Sequence, residues 1–328
     1  MKGKPAFFAA LLVLFAGFSS DAAITFIYPS PKTQVKRSDY LILKMNNPQI
    51  SGIKVTVNGL ASDTMLIGSA EYKKAFQDLV ILQPVWDGGK NEIIVEGYDG
   101  EKKIEATSTE IFFSDKPAAN VPSQYKRNVM HVPELEKYCS PCHDMNPTTA
   151  QLDTNMDKKN PCYGCHKKMG NTNFVHGPAG TFSCAYCHNL KGMPKYAVML
   201  RDAALCNECH ADKATEFKKK KFLHGPVEAG MCEICHDPHG SNFTSQLRLP
   251  INELCLSCHE SVAKETHVVR LTDGAGHPLK DKPDPSKPGS GRDLSCISCH
   301  NPHGGEARFF FQNNVEDRMQ LCQVCHNK

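Results

Sequence analysis

The stretch His224-Gly-Pro-Val-Glu-Ala-Gly-Met-Cys-Glu-Ile-Cys-His-Asp-Pro-His-Gly240 decides how most of this chain is read. Two cysteines three residues apart are followed at once by a histidine, and a second histidine returns three residues later behind a proline. Cys-x-x-Cys-His is the attachment signature of c-type haem. Its spacing has a chemical reason: two thiols add across the two vinyl groups of one haem, and the adjacent histidine is held under the ring as proximal iron ligand. The group occurs eight times and uses all 16 cysteines of the 328 residues. Attachment is therefore assigned to Cys139, Cys142, Cys162, Cys165, Cys184, Cys187, Cys206, Cys209, Cys232, Cys235, Cys255, Cys258, Cys296, Cys299, Cys322 and Cys325. The proximal ligands are His143, His166, His188, His210, His236, His259, His300 and His326. Disulfides explain paired cysteines but do not require a histidine after each pair. Zinc ribbons lack a regular ligand at that position. A thioredoxin-like redox motif would occur once, beside a βαβ pattern that is absent here. Eight covalently bound haem c groups are the expected cofactors.

Outward from this stretch the motifs form a tandem repeat. First-Cys spacings within successive pairs are 23 (Cys139 to Cys162), 22 (Cys184 to Cys206), 23 (Cys232 to Cys255) and 26 (Cys296 to Cys322). His131, His176 and His224 each stand eight residues before the first cysteine of a pair, and His277 stands nineteen before, across a Gly/Pro-rich loop. The four units are 131–166, 176–210, 224–259 and 277–326. Pro-His-Gly follows the first motif of the third unit and recurs at Pro302–Gly304 in the fourth. These repeats resemble the doubled Cys-x-x-Cys-His family of multihaem cytochromes, over about 60% of the chain. The resemblance implies haem-chain electron transport, in periplasmic respiration or extracellular electron transfer, and no particular donor or acceptor. Partners are then expected to be other redox proteins, an outer-membrane electron conduit or an extracellular acceptor, with self-association into filaments known among related proteins.

Residues 24–115 are of another kind, with no cysteine. Apolar, β-branched runs recur at Ile24–Tyr28, Tyr40–Lys44, Ile53–Val57, Val80–Leu82, Glu92–Val95 and Ile104–Phe113, separated by Asn58-Gly59, Asp87-Gly88-Gly89 and Asp99-Gly100. Short strands at this spacing predict a β-sandwich, and the pattern from Val55 to Tyr98 resembles bacterial immunoglobulin-like modules. Residues 116–130 read as a linker. The expected fold is thus mixed: a signal segment at 1–22, a β-sandwich at 23–115, and from 131 to 328 a haem-packed cytochrome domain with short helices and much irregular structure. That last part, 198 residues long, has few apolar side chains to spare for an ordinary core.

Lys2 and Lys4 before an apolar run at Ala6–Phe18, then Ser20-Asp21-Ala22, predict a secretory signal and an exported protein, periplasmic or at the cell surface. No later segment is apolar enough to span a membrane. The formal charge of +3 argues against nucleic acid. Eight haems with ionised propionates would carry the charge of the mature chain to about −6 oxidised and about −14 reduced, so the sequence charge is a poor guide to partners.

Of 15 histidines, seven remain for the distal side of the irons: His131, His176, His224, His239, His267, His277 and His303. A haem with two histidine ligands is low-spin and coordinatively full, suited to passing electrons. Seven cannot serve eight irons, which leaves Met145 or Met193 as an eighth distal ligand, or one open iron. An electron carrier is therefore expected rather than a catalyst. An octahaem reductase of a small nitrogen or sulfur oxyanion, and a filament subunit, are the alternatives. Which histidine reaches which haem stays open at this level. Trp86 is expected in the sandwich core rather than at a sugar platform.

Overall fold

Alternation of buried and exposed side chains builds the first half of the molecule. The computed structural model describes residues 22–36, 38–114, 121–152, 160–269 and 276–326. The chain divides into two compact units, Met1–Ser114 with Val121–Asn128, and Asp115–Asn120 with Val129–Lys328. The secretory-signal reading concerns residues that, Ala22 apart, lie outside the described ones.

Among the described residues the first unit holds ten strands: β1 (Ile24–Tyr28), β2 (Thr33–Val35), β3 (Leu41–Met45), β4 (Gly52–Val57), β5 (Leu60–Ala61), β6 (Met65–Leu66), β7 (Leu79–Leu82), β8 (Gly89–Asp99), β9 (Lys102–Phe113) and β10 (Lys126–Arg127). One sheet has the order β1-β3-β7 and the other β10-β2-β9-β8-β4-β5, with β6 also on β4. On β3, Leu41, Leu43 and Met45 point inward, and on β8 Asn91, Ile93 and Val95 do so. Inward residues of both sheets join one cluster that includes Ile24, Leu43, Val80, Ile53, Ile93 and Ile111. The unit is therefore a two-sheet sandwich. Each such aliphatic side chain contributes about 1.5–3 kcal/mol when fully buried.

Asn91, fully buried, makes the polar exception safe. Its Nδ2 donates to the carbonyls of Asp87 at 2.8 Å and Gly89 at 3.0 Å, and its Oδ1 accepts from Asp87 N–H at 2.9 Å and Asn58 Nδ2 at 3.0 Å. One side chain thus pins the Asp87–Gly89 turn to the Asn58-Gly59 loop, which joins β4 to β5 in a two-residue hairpin. Trp86 lies in the same core, 7% exposed, with Nε1 donating to the Ser38 carbonyl at 3.1 Å. Residues 126–127, inside the segment read as a linker, pair in parallel with β2.

The second unit has no comparable core. Its buried apolar side chains among the described residues are Leu152, Phe182, Ala307 and Phe311. Its secondary structure is short helical turns and two two-stranded ribbons. In these β11 (Phe174–Val175) and β12 (Phe222–Leu223) pair antiparallel with β13 (Gly240–Ser241) and β14 (Gly304–Gly305), respectively. A described chain of this length with so little apolar burial needs another source of cohesion. No helix among the described residues is long and apolar enough to cross a membrane.

Candidate haem sites

Every Cys-x-x-Cys-His group folds the same way. In each, the histidine N–H donates to the carbonyl of the first cysteine, at 2.9 Å in the Cys139, Cys162, Cys184, Cys206, Cys296 and Cys322 motifs, 3.0 Å in the Cys255 motif and 3.1 Å in the Cys232 motif. One helical turn places positions i, i+3 and i+4 on one face. Both thiols and the imidazole of each motif therefore face the same side, as attachment to a single ring requires.

The decisive geometry is between motifs. Seven of the eight proximal imidazoles are faced by one of the seven remaining histidines. Ring centres are 6.2 Å apart for His166 with His131, 6.1 Å for His210 with His176, and 6.0 Å for His188 with His239. They are 6.1 Å apart for His259 with His224, 6.2 Å for His236 with His303, 5.8 Å for His300 with His267, and 6.2 Å for His326 with His277. A metal–imidazole bond of about 2 Å on each side, plus roughly 1 Å from nitrogen to ring centre, gives about 6 Å for two rings sharing one metal ion. Stacked rings in direct contact would lie nearer. The residues thus fit an iron between each pair.

The second ring nitrogen is also assigned. Nδ1 of His188, His236 and His300 faces the carbonyls of Tyr196 (2.8 Å), Ser245 (2.7 Å) and Phe309 (2.6 Å). Nδ1 of the leading His176, His224 and His277 faces the carbonyls of Pro238 (2.8 Å), Pro302 (3.0 Å) and Pro278 (2.9 Å). A protonated Nδ1 donating to a carbonyl leaves Nε2 free for metal and fixes the ring plane. Burial lowers the pKa of His166 to about 4, and burial likewise lowers those of His188, His224, His267 and His303. Neutral imidazole is the form that ligates.

A rule links pairing to the repeat. Each leading histidine faces the second motif of its own unit. Each Pro-His-Gly histidine faces the first motif of the preceding unit, so His239 reaches back to His188 and His303 to His236. The ribbons enforce this by placing β13 and β14 beside the strand that precedes a leading histidine, with His176 N–H donating to the His239 carbonyl at 3.3 Å. Glycine is required after each of these histidines. Gly240 and Gly304 have φ of +135° and +142°, and a Cβ there would lie 2.9 Å from the Phe174 carbonyl oxygen and 2.5 Å from that of Phe222.

The thiols give the order of the motifs. Cys162 and Cys184 are neighbours across the first unit junction, and Cys255 and Cys296 across the third. Across the second, Cys206 and Cys232 have ligand atoms within 4.8 Å of each other and of Asp202. Within units, Cys139 stands near Cys165, Cys187 near Cys209, Cys235 near Cys258, and Cys299 near Cys325. The eight motifs therefore follow one another in space in sequence order.

His143 stands apart: among the described residues no imidazole faces it. Of the methionines considered for that role, Met193 is 96% exposed. Met145 offers its backbone carbonyl to Tyr196 Oη at 3.2 Å. Sequence reading also missed the partners of His131, whose Nδ1 meets Glu136 Oε1 at 3.0 Å in place of a prolyl carbonyl. Lys195 Nζ donates to the same carboxylate at 3.1 and 2.9 Å. The signal lay in the second unit's departure from the repeat: it has Leu190-Lys191 where the third and fourth have Pro-His, so no prolyl carbonyl stands there for His131.

Residues 224–264 and 287–328 match the family model of the doubled CXXCH motif. The multiheme cytochrome MtrA of Shewanella baltica (strain OS185) is 31% identical over 115 residues, covering 33% of this chain and 34% of that protein. The chain thus spans about a third of the length of this curated relative. Among solved structures, the fibronectin(III)-like modules of Clostridium thermocellum CbhA are 20% identical over 28% of this chain and 95% of theirs, with a TM-score of 0.20. CopC from Methylosinus trichosporium OB3b is 17% identical over 28% of this chain and 93% of its own, with a TM-score of 0.21. Structural overlaps this low carry no argument.

Proposed function

We propose that this chain, a doubled-CXXCH multihaem c-type cytochrome that binds haem c covalently and transfers electrons, is an exported eight-haem carrier whose haems form one continuous row. The observation that carries the proposal is the set of seven imidazole pairs with centres 5.8–6.2 Å apart. Two imidazoles per iron close both axial positions, which favours electron passage over substrate binding. Bound haem would supply the redox chemistry, one electron per iron, and its rings would supply the missing core of the second unit. The protein's own part is placement. Thiols in sequence order set neighbours side by side, carbonyls orient the imidazoles, and the ribbons lock the second unit to the third and the third to the fourth.

The sandwich, immunoglobulin-like in its strand pattern, is proposed as a separate module carried by the cytochrome. Donor and acceptor are proposed to be other redox proteins, an outer-membrane conduit or an extracellular acceptor, with release beyond the cytoplasmic membrane directed by residues 1–22. A second reading has one observation in its favour, that among the described residues no imidazole faces His143: an iron open there would make a reductase site, or a site completed by the next chain of a filament.

Intact-mass analysis with a pyridine haemochrome assay tests the proposal. Eight haems per chain, reversibly reduced without added substrate, are expected. Fewer haems, or turnover of nitrite or sulfite at rates typical of an enzyme, would overturn it.

A further inference from the structure

We propose that Lys191 is the distal ligand of the iron held by His143. The inference rests on the eight-haem reading and assigns the one axial position that reading leaves without an imidazole.

Aligned on the first motif of each unit, Cys187-His-Asn-Leu-Lys-Gly192 falls on Cys235-His-Asp-Pro-His-Gly240 and Cys299-His-Asn-Pro-His-Gly304. Lys191 occupies the place of His239 and His303, and a glycine follows in all three. The local backbone agrees up to the residue itself, although Gly192 lacks the positive φ and the ribbon strand of Gly240 and Gly304. Lys191 N–H donates to Asn189 Oδ1 at 3.0 Å, as His239 N–H does to Asp237 Oδ1 and His303 N–H to Asn301 Oδ1, each at 3.0 Å. The same side-chain-capped turn presents all three residues.

The rule of pairing then names the iron. The residue at this position in one unit reaches the first motif of the unit before: His239 reaches His188, and His303 reaches His236. Lys191, in the second unit, is directed by the same rule to the first motif of the first, which is that of His143. A separate set of contacts brings its turn there. Lys195 Nζ donates to the Met145 carbonyl and to Asn146 Oδ1, and Tyr196 Oη donates to the same Met145 carbonyl at 3.2 Å. The segment that carries Lys191 is thus fastened to the residues just beyond His143.

The alternatives fit less well. Met145 lies two residues past the proximal ligand, and two residues extend only about 7 Å, too little to round a porphyrin edge. Met193 stands two residues beyond Lys191, outside the position at which the repeat carries His239 and His303. The Lys191 side chain is exposed and has no hydrogen-bond or ion-pair partner among the described residues. Its neutral amine is a competent nitrogen donor, and a metal ligand must give up its proton to bind. The loop after this motif is also one residue shorter than in the third and fourth units. His188 Nδ1 meets a carbonyl eight residues on, whereas His236 and His300 meet theirs nine residues on.

Low-temperature electron paramagnetic resonance on the full-length, haem-loaded, oxidised protein tests this, with haem counted on the same sample. Wild type should show eight haems, all low-spin. Lys191→Ala should convert about one eighth of the ferric iron to high-spin, and Lys191→His should return it to low-spin. An all-low-spin Lys191→Ala protein overturns the assignment, as does a wild type that already has one high-spin iron among eight. Low-spin character that appears only as protein concentration rises also overturns it, in favour of a ligand from a second chain. A haem count other than eight overturns the underlying reading instead.

Discussion

Glu136→Gln should raise the midpoint potential of one haem, that between His131 and His166, and leave the others in place. Glu136 is buried, with Oε1 3.0 Å from His131 Nδ1. A carboxylate behind a ligating imidazole makes it a stronger donor and stabilises ferric iron. With the carboxylate roughly 7 Å from an iron on Nε2 and an effective dielectric constant of about 20, one negative charge is worth about 2 kcal/mol at the iron. For a one-electron couple this is about 100 mV, since a tenfold change in equilibrium corresponds to about 59 mV. Glutamine keeps an acceptor oxygen for Nδ1, so the imidazole keeps its orientation while the charge is lost. Lys195, which donates to both carboxylate oxygens, is present in both proteins, so its own charge cancels in the difference and the shift reports the lost carboxylate. The assay is an optical redox titration of variant and wild type side by side. An unchanged titration curve would refute the reasoning, and so would a shift shared by every haem, which would mark a general structural change.

Further outcomes follow from the same geometry. His239→Ala should make one iron high-spin, and that signal should vanish when Cys184 and Cys187 are also replaced; if replacing Cys232 and Cys235 removes it instead, the pairing of His239 with His188 is wrong. Gly240→Ala should destabilise the ribbon by about 1–3 kcal/mol through strain at positive φ. A lower thermal midpoint with loss of ligation at the His188 iron would register it, and an unchanged midpoint would contradict it. Asn91→Ala should lower sandwich stability by about 1–3 kcal/mol, because buried partners of its amide are left unsatisfied; calorimetry on the full chain reads this as an earlier transition with the haem spectrum intact.

Much of the sandwich was legible because its runs are apolar and β-branched between turn signals, with clear alternation in strands such as β3 and β8. Ile24–Tyr28 has the same bounds in sequence and structure, and the other five runs agree to within a few residues, with Glu92–Val95 and Ile104–Phe113 extending into the long β8–β9 hairpin. What escaped has weak patterning. Strands β5 and β6 are two residues each, and the helix Ala70–Phe76 buries none of its residues, so it leaves no apolar stripe to detect. In the second unit the attachment motif is a local chemical requirement, and the attachment and proximal sets can be written directly from it. Distal pairing is not local. His239 faces a proximal histidine 51 positions earlier because a ribbon joins Val175 to Gly240, a contact that only the folded chain displays. The repeat did carry the hint, since a histidine at a fixed offset must serve a fixed neighbour.

The central claim is a row of eight irons in sequence order, seven of them between named histidine pairs. Anomalous scattering at the iron edge from crystals of the haem-loaded protein tests it most directly. Eight iron peaks are expected, with seven midway between His131 and His166, His239 and His188, His176 and His210, His303 and His236, His224 and His259, His267 and His300, and His277 and His326. An iron bound by histidines from two different pairs, or fewer than eight peaks, would contradict it.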